Sequence, residues 1–539
     1  MFLVLGCLLL AGVMTRVQVL DRSLWLDEAW VANSIRAASL HEAIHYNDWL
    51  QTTPPLFIAL SRIVTAVFGT SNIGFRLLPV FFGIVSILLF FFLAVKLLRP
   101  SFAMIAALLF VSSPPLILYS QSLKQYSTDV FSAIALLVLG WLYLERRTGF
   151  WFYFLLAGFV VLSFLSYPAM LFLPFLLYAA FVKVDLHTKT KAAGEIRHKW
   201  PRFALMVGLG VLVCVGNYLF YIAPNNTAAL AEFFEEGFHD GGSVVELFQF
   251  YGARLSSLTG SFFFGGQRGF RLVTTLITAV GFIYLWTSQT SMSHLETFQT
   301  PILWTAPIAG IVALNIAGMF PLPGFHHRLL LFVFPITALV FCIGLQSLAS
   351  VFARLIASRL KSFQATSAET ALGSVTFTAL AVPVFLFVTT VGVEPFFAGD
   401  HEDSEAAIDY LAQRVQMDDV LYIHATMREQ FKLYGQTLPA GIGSVVYGKI
   451  GAPCCPRRDY RNPRLEASED ISGGVGGLSK AAAGRYLWLL STDRELHRLQ
   501  VQRNDVEIFD RGLASQGCRK IDEVRFVGVY IGRFDCKSK

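Results

Sequence analysis

Two adjacent carboxylates, Asp27 and Glu28, stand between Trp25 and Trp30 in the stretch LWLDEAW. Tryptophan favours the membrane–water boundary, and carboxylates avoid hydrocarbon. An acid pair at such a boundary is either a solvated helix cap or a place where protons move. Three other polar clusters share its character. GFRLLP carries Arg76, YSQSLKQYSTD carries Gln121, Lys124, Tyr126 and Asp129, and PGFHHRLLLF carries His326, His327 and Arg328. At helical spacing Asp129 falls one turn beyond Gln125 and Tyr126, with Lys124 as the expected charge partner. An exposed acid pair with basic groups on one membrane face suits glycosyl transfer from a lipid-linked sugar. The acceptor hydroxyl is a poor nucleophile and needs a carboxylate to take its proton. The departing lipid phosphate gains charge that Lys, Arg or His must meet. A carboxylate can instead hold a divalent metal, Mg or Mn, that clamps the phosphate, and two acids leave room for both roles.

Each group also has a plainer role. Asp27 and Glu28 can cap a helix, Arg76 and Arg328 can anchor lipid headgroups, and Lys124 with Asp129 can be a structural ion pair. His41 and His45 share helical spacing but lack a third ligand, so they make a weak metal site.

The elements that must position these residues are membrane helices. Of 539 residues, 55% are hydrophobic and 15% charged, and mean hydropathy is +0.56. A soluble domain carries about 25% charged residues, so this is an integral membrane protein. The net charge of +6 reflects loop asymmetry, and no basic stripe suited to nucleic acid is present. Apolar runs predict about eleven spans, near 1–20, 77–98, 102–118, 123–144, 150–166, 168–184, 203–222, 270–287, 301–320, 328–349 and 372–392. Lys and Arg gather in loops 145–149, 183–202 and 350–371, and acids in loop 223–269. By the positive-inside rule the N-terminus is then cytoplasmic, and segment 21–76, turn 119–122, turn 321–327 and tail 393–539 lie outside. All four polar clusters thus converge on the outer face. PPLFIALSRIVTAVFG, short and interrupted by Arg62, reads as an interfacial helix.

After residue 392 the pattern changes. DDVLYIHA and GRYLWLLSTD read as buried strands, DSEAAIDYLAQRVQ, MREQFKLYG and RELHRLQVQ as helices, and DEVRFVGVYIGRF as an alternating strand. That alternation predicts an extracytoplasmic α/β domain over 393–539 beside a membrane module over 1–392. Its four cysteines suit an oxidising compartment, with Cys454 or Cys455 bridging to Cys518 and Cys536 as one expected pairing.

The chain resembles the GT-C superfamily of membrane glycosyltransferases, and most closely the bacterial relatives of protein O-mannosyltransferases and lipid A aminoarabinose transferase. The features that carry the likeness are LWLDEAW, TTPPLFIALSRIVTAVFG, GFRLLPVFFGIVSI, YSQSLKQYSTDVF and HHRLLLFVFP, in that order. Thr53 stands where many members have the His of His-Pro-Pro. The resemblance implies an α-helical polytopic fold and an inverting transferase that takes a sugar from a polyprenyl-phosphate donor to a glycan, lipid or protein acceptor. The setting implied is the outer face of a bacterial inner membrane. Asp27 maps to the catalytic base, Glu28 to a supporting or metal-holding group, and Lys124, Arg328, Arg76 and His327 to the donor phosphate, with Gln121, Tyr126 and Asp129 as supporting polar groups. A transporter or flippase predicts repeat symmetry and broken helices at the midplane, which the sequence lacks. A membrane-anchored scaffold leaves the acid loop without a role.

Overall fold

The twenty-six residues Asn72–Leu97 hold two basic residues, Arg76 near the start and Lys96 near the end, and otherwise almost unbroken apolar side chains. At 1.5 Å per residue they span roughly 39 Å, more than the bilayer core. The computed structural model describes residues 2–46, 52–146, 149–188, 200–225, 234–239, 241–264, 268–287, 301–322, 327–359, 371, 373–377, 402–438, 444–447, 474–492 and 505–537.

The membrane part runs α1 (Phe2–Val17), α2 (Leu26–Ile35), α3 (Leu40–Ile44), α4 (Pro55–Phe68), α5 (Asn72–Leu97), α6 (Pro100–Ser112), α7 (Pro114–Ser120), α8 (Tyr126–Glu145), α9 (Phe150–Leu165), α10 (Leu173–Thr188), α11 (Trp200–Asn217), α12 (Val244–Phe264), α13 (Arg268–Thr287), α14 (Pro301–Ile316) and α15 (Phe334–Arg359). Among the described residues four helical stretches are long and apolar enough to cross a bilayer: Asn72–Leu97, Tyr126–Glu145, Trp200–Asn225 and Arg328–Leu355. The pair α6–α7, bent by 50°, makes a fifth if taken as one span. Pro114 accounts for the bend, since its ring cannot continue the helix above it. The other expected spans appear as shorter apolar helices, and 372–392 lies almost wholly outside the described residues. One expectation is corrected. Segment 223–269 is not simply an acidic loop, because it contains α12, a 21-residue helix. Glu246, Gln249 and Arg254 dilute its hydropathy and hid it from a search for apolar runs.

The segment between α1 and α5 forms α2, α3 and α4. As expected, α4 is short and keeps an apolar stripe exposed at Ile63, Val67 and Phe68. Arg62 is the reason it sits against α2. Its guanidinium donates to the carbonyls of Ala37 (2.6 Å), Ile35 (3.2 Å), Ala38 (3.3 Å) and Ser39 (3.3 Å), the acceptors left open where α2 ends. Gly69, at φ 89°, makes the turn into α5 that an L side chain resists.

The C-terminal part is a three-layer α/β unit. It comprises α16 (Ser404–Ala412), β1 (Val420–Ile423), α17 (Arg428–Tyr434), β2 (Ser444–Tyr447), α18 (Gly474–Ala481), β3 (Tyr486–Thr492), α19 (Asp505–Ser515), β4 (Arg519–Phe526) and β5 (Val529–Asp535). The sheet order is β2-β1-β3-β5-β4, parallel through β2, β1 and β3 and antiparallel at β5 and β4. Alternation along β1 sends Leu421 and Ile423 to the α16–α17 face and Val420 and Tyr422 to the α18–α19 face. The run DEVRFVGVYIGRF is a hairpin of two strands, turned at Gly528 with φ 69°, rather than one strand. Cys518 bonds Cys536. The expected bridges from Cys454 or Cys455 to this pair are therefore not formed. The helix expected at RELHRLQVQ falls outside the described residues.

Candidate active site

Asp27 and Glu28 occupy the first turn of α2, and consecutive residues on a helix point about 100° apart. The two acids therefore meet different surroundings. Glu28 turns inward and is fully buried. Its Oε1 accepts from Arg76 Nε at 2.9 Å and from the Leu123 N–H at 2.7 Å, and its Oε2 accepts from Arg76 Nη2 at 2.6 Å. Glu28 Oε2 also accepts from the Trp25 N–H at 3.4 Å, the N3 half of a capping box whose other half a tryptophan N-cap cannot supply. Arg22 stands 3.9 Å away. Burial pushes the Glu28 carboxyl up, but Arg76, Arg22 and the hydrogen bonds outweigh it and hold the group below its ordinary range.

Arg76 is equally buried. Beyond Glu28 it donates to the carbonyls of Leu20 (2.8 Å), Arg22 and Ser23 (3.2 Å). It stitches the end of α1 to α2 and turns no donor toward solvent. Gln121 does similar work, donating to the Thr15 carbonyl at 2.7 Å and accepting from the Val19 N–H at 3.3 Å.

Asp27 turns to the other side. Its Oδ2 accepts from Arg328 Nη1 at 2.9 Å, with side-chain exposures of 17% and 14%. The Arg328 guanidinium carbon lies 5.8 Å from the Trp25 ring centre and 5.9 Å from that of Tyr126, so two aromatic faces hold the cation in place. Lys124 belongs to the same group. It is buried, and its ammonium makes no hydrogen bond or ion pair with any described residue. Its electrostatic neighbours are Asp27, Arg328 and Glu28. Burial lowers its pKa from the ordinary lysine value, Arg328 adds to this, and Asp27 and Glu28 oppose it. The expected Lys124–Asp129 pair is not formed. Asp129 lies one turn into α8, buried beside Ser166 and Tyr126, with its Oδ1 unpartnered among the described residues. Ser127, Ser132 and Ser163 are likewise buried, with hydroxyls unpartnered among the described residues, so this part of the bundle is polar. His327 begins the turn His327–Val333 that carries Arg328, but its side chain is outside the described residues, as is His326.

The donor set does not suit a divalent metal. Glu28 is consumed by arginine, Asp27 faces arginine and lysine, and no three His, Cys, Asp or Glu converge among the described residues. His41 and His45 pack ring to ring at 4.6 Å, and His45 stacks on Tyr221 at 6.1 Å. Two contributors escaped the sequence reading. Arg22 stands just before the acids and was legible as a nearby cation. Glu402 arrives from the C-terminal domain and left no sequence signal.

Two cations and one acid gathered at the end of an apolar bundle can bind a lipid-borne phosphate and take a proton beside it. Residues 52–218 match the family model for dolichyl-phosphate-mannose-protein mannosyltransferase. Among solved structures, ArnT from Cupriavidus metallidurans bound to undecaprenyl phosphate is similar at TM-score 0.50 and 14% identity, over 99% of this chain and 97% of that one. The same protein in the apo state gives TM-score 0.49 and 16% identity, over 99% and 97%. The oligosaccharyltransferase AglB from Archaeoglobus fulgidus, in complex with an inhibitory peptide and a dolichol-phosphate, gives TM-score 0.48 and 11% identity, over 98% and 73%. Among curated proteins none matches by sequence. At such identities the likeness to the first structure concerns the fold.

Proposed function

We propose that the chain is a GT-C-type membrane glycosyltransferase that transfers a sugar from a polyprenyl-phosphate carrier to an acceptor hydroxyl, a reading that the matched segment and the likeness in fold support. Transfer takes place at the outer membrane face and inverts the anomeric centre. The observation that carries this reading is the grouping of Asp27, Arg328 and Lys124. In the structure Arg328 is held by Asp27. The incoming donor phosphate takes Arg328 and Lys124 for itself, and Asp27 is released to act as a base. Asp27 then accepts the acceptor hydroxyl proton as the acceptor oxygen bonds the anomeric carbon. The carbon–oxygen bond to phosphate breaks, and its electron pair leaves on polyprenyl phosphate, whose charge the two cations meet. A single displacement of this kind inverts configuration.

Glu28 and Arg76 have the supporting role in this scheme: they fix α2 against the end of α1. Asp129 and its neighbouring hydroxyls lie next to Tyr126 and supply acceptors for the sugar's hydroxyl groups. The N-terminus is cytoplasmic and the C-terminal domain extracytoplasmic, in a bacterial inner membrane, with about eleven spans. The test is transfer by purified wild type and Asp27→Asn over a panel of polyprenyl-phosphate sugars, with the product anomer read by NMR. The variant is expected to lose activity at least a hundred-fold. Undiminished turnover by Asp27→Asn, or a retained anomer, would overturn the scheme.

A further inference from the structure

The N-terminus of α2 is closed from the other end of the chain. Leu26 is the first residue of α2, and its N–H is one of the donors a helix leaves open. Trp25 before it offers no side-chain acceptor. The acceptor is Glu402 Oε2, at 3.1 Å and 376 residues away. Glu402 is 1% exposed and is itself held by Gln430 Nε2 at 2.7 Å. A carboxylate at a helix N-terminus is stabilised by the helix dipole as well as by the hydrogen bond. The same domain grips α2 along its length. Tyr434 accepts from the Leu24 N–H at 2.8 Å and donates to Asn72 Oδ1 at 2.7 Å. Asn33 donates to Glu429 Oε2 at 2.9 Å, and Arg36 donates to the Leu433 carbonyl at 3.2 Å.

We infer that Glu402 is a positioning residue for Asp27, and that the C-terminal domain is the brace that sets the catalytic helix; this rests on the glycosyl-transfer reading above. A ten-residue helix is too short to hold its own axis in water. Its first turn is tied to the membrane part by Glu28 and Arg76, and the C-terminal domain adds Glu402 and Tyr434 at its start and Glu429 and Leu433, on Asn33 and Arg36, toward its end. Asp27 directly follows the residue that Glu402 holds. Misplacing a reacting group by about 1 Å costs on the order of a hundred-fold in rate, so loosening this contact registers in turnover before donor binding. Lys124 and Arg328, which bind the phosphate in the proposed scheme, are not on α2.

The test uses the full-length protein with a donor that wild type turns over. Glu402→Ala is expected to lower kcat roughly ten- to a hundred-fold, with donor KM within about three-fold of wild type. Glu402→Gln keeps an oxygen acceptor for the Leu26 N–H and is expected to recover most of that loss. Amide exchange of the peptide 24–36, read by mass spectrometry, is expected to quicken in Glu402→Ala and not in Glu402→Gln. Tyr434→Phe, which removes a separate grip on the same end, is expected to lower kcat and quicken the same peptide, and it carries the test if Glu402→Ala fails to fold. Wild-type kcat in the folded alanine or phenylalanine variant, a loss confined to KM, or unchanged protection of 24–36 would each overturn the inference. If wild type transfers no sugar at all, the glycosyl-transfer reading falls, and exchange of 24–36 alone decides whether the brace exists.

Discussion

Asp27→Asn should do two opposite things. It removes the base, which contributes about a hundred- to ten-thousand-fold to such a step, or roughly 3–5 kcal/mol of barrier. It also breaks the ion pair that occupies Arg328 in the structure. That pair has an N–O distance of 2.9 Å with side chains 17% and 14% exposed. Its gross attraction at an effective dielectric near 20 is roughly 6 kcal/mol, but desolvation and side-chain entropy consume most of it, leaving about 1 kcal/mol net. The donor phosphate must overcome that amount to claim Arg328. The asparagine variant should therefore bind polyprenyl phosphate about five-fold more tightly while turning over far more slowly. Equilibrium titration of purified protein with polyprenyl phosphate lacking the sugar isolates the first effect, and initial rates with intact donor give the second. Arg328→Ala should weaken the same titration in both backgrounds. Weaker binding of polyprenyl phosphate by Asp27→Asn would refute the competition, and wild-type turnover would refute the base.

Four further outcomes are expected. Glu28→Gln leaves a fully buried Arg76 short of its counter-charge, so it should destabilise the protein by about 3–5 kcal/mol in detergent unfolding, while Glu28→Gln with Arg76→Met should recover much of that. Equal stability of the single variant and wild type would show that the pair is not structural. The Glu28 carboxyl is held below its ordinary range, so its stabilisation is complete above the unfolded value near 4.5 and lost as pH falls through the lower folded value, visible as acid unfolding that Glu28→Gln blunts. Lys124 must stay protonated to meet phosphate, and burial lowers its pKa, so kcat/KM should fall on the alkaline side at a pH below the ordinary lysine value of 10.5. Lys124→Arg should move that limb upward, and an unchanged profile would remove Lys124 from phosphate binding. Breaking Cys518–Cys536, which closes 18 residues, should cost the C-terminal domain about 3 kcal/mol, measured by its melting with and without reductant.

What was legible in the sequence follows from how local each signal is. Apolar runs and strand alternation are local, so α5, α8, α9, β1 and β3 stand where periodicity puts them. The shortness of α4 was legible too, because Arg62 interrupts a run too short to cross. The helix α12 was missed because its length is helical but its hydropathy is diluted. The hairpin β4–β5 was missed because Val-Gly between two alternating runs continues the alternation by eye, and only the positive φ of Gly528 reverses the chain. The partners of charged groups were least legible. Lys124 is closer in sequence to Asp129 than to Asp27, yet the chain from 121 to 125 breaks the helix before α8 begins, and the lysine turns toward α2. Glu402 had no signal at all, since nothing local records a hydrogen bond across 376 residues.

The acid pair itself turns on helix geometry. Read as a string, Asp27 and Glu28 are neighbours that might share a metal or a proton. Once α2 begins at Leu26 they are adjacent residues on a helix and cannot face one another. One must turn into the protein and one away from it. The inward position can keep a carboxylate only if it is paired and fully hydrogen-bonded, and Arg76, Arg22 and the Leu123 N–H meet that demand at Glu28. The outward position faces Arg328 and Lys124. The two acids thus divide the work that a single carboxylate cannot do at once. One is locked into the protein by arginine, and the other is held by Arg328, which a phosphate can take away.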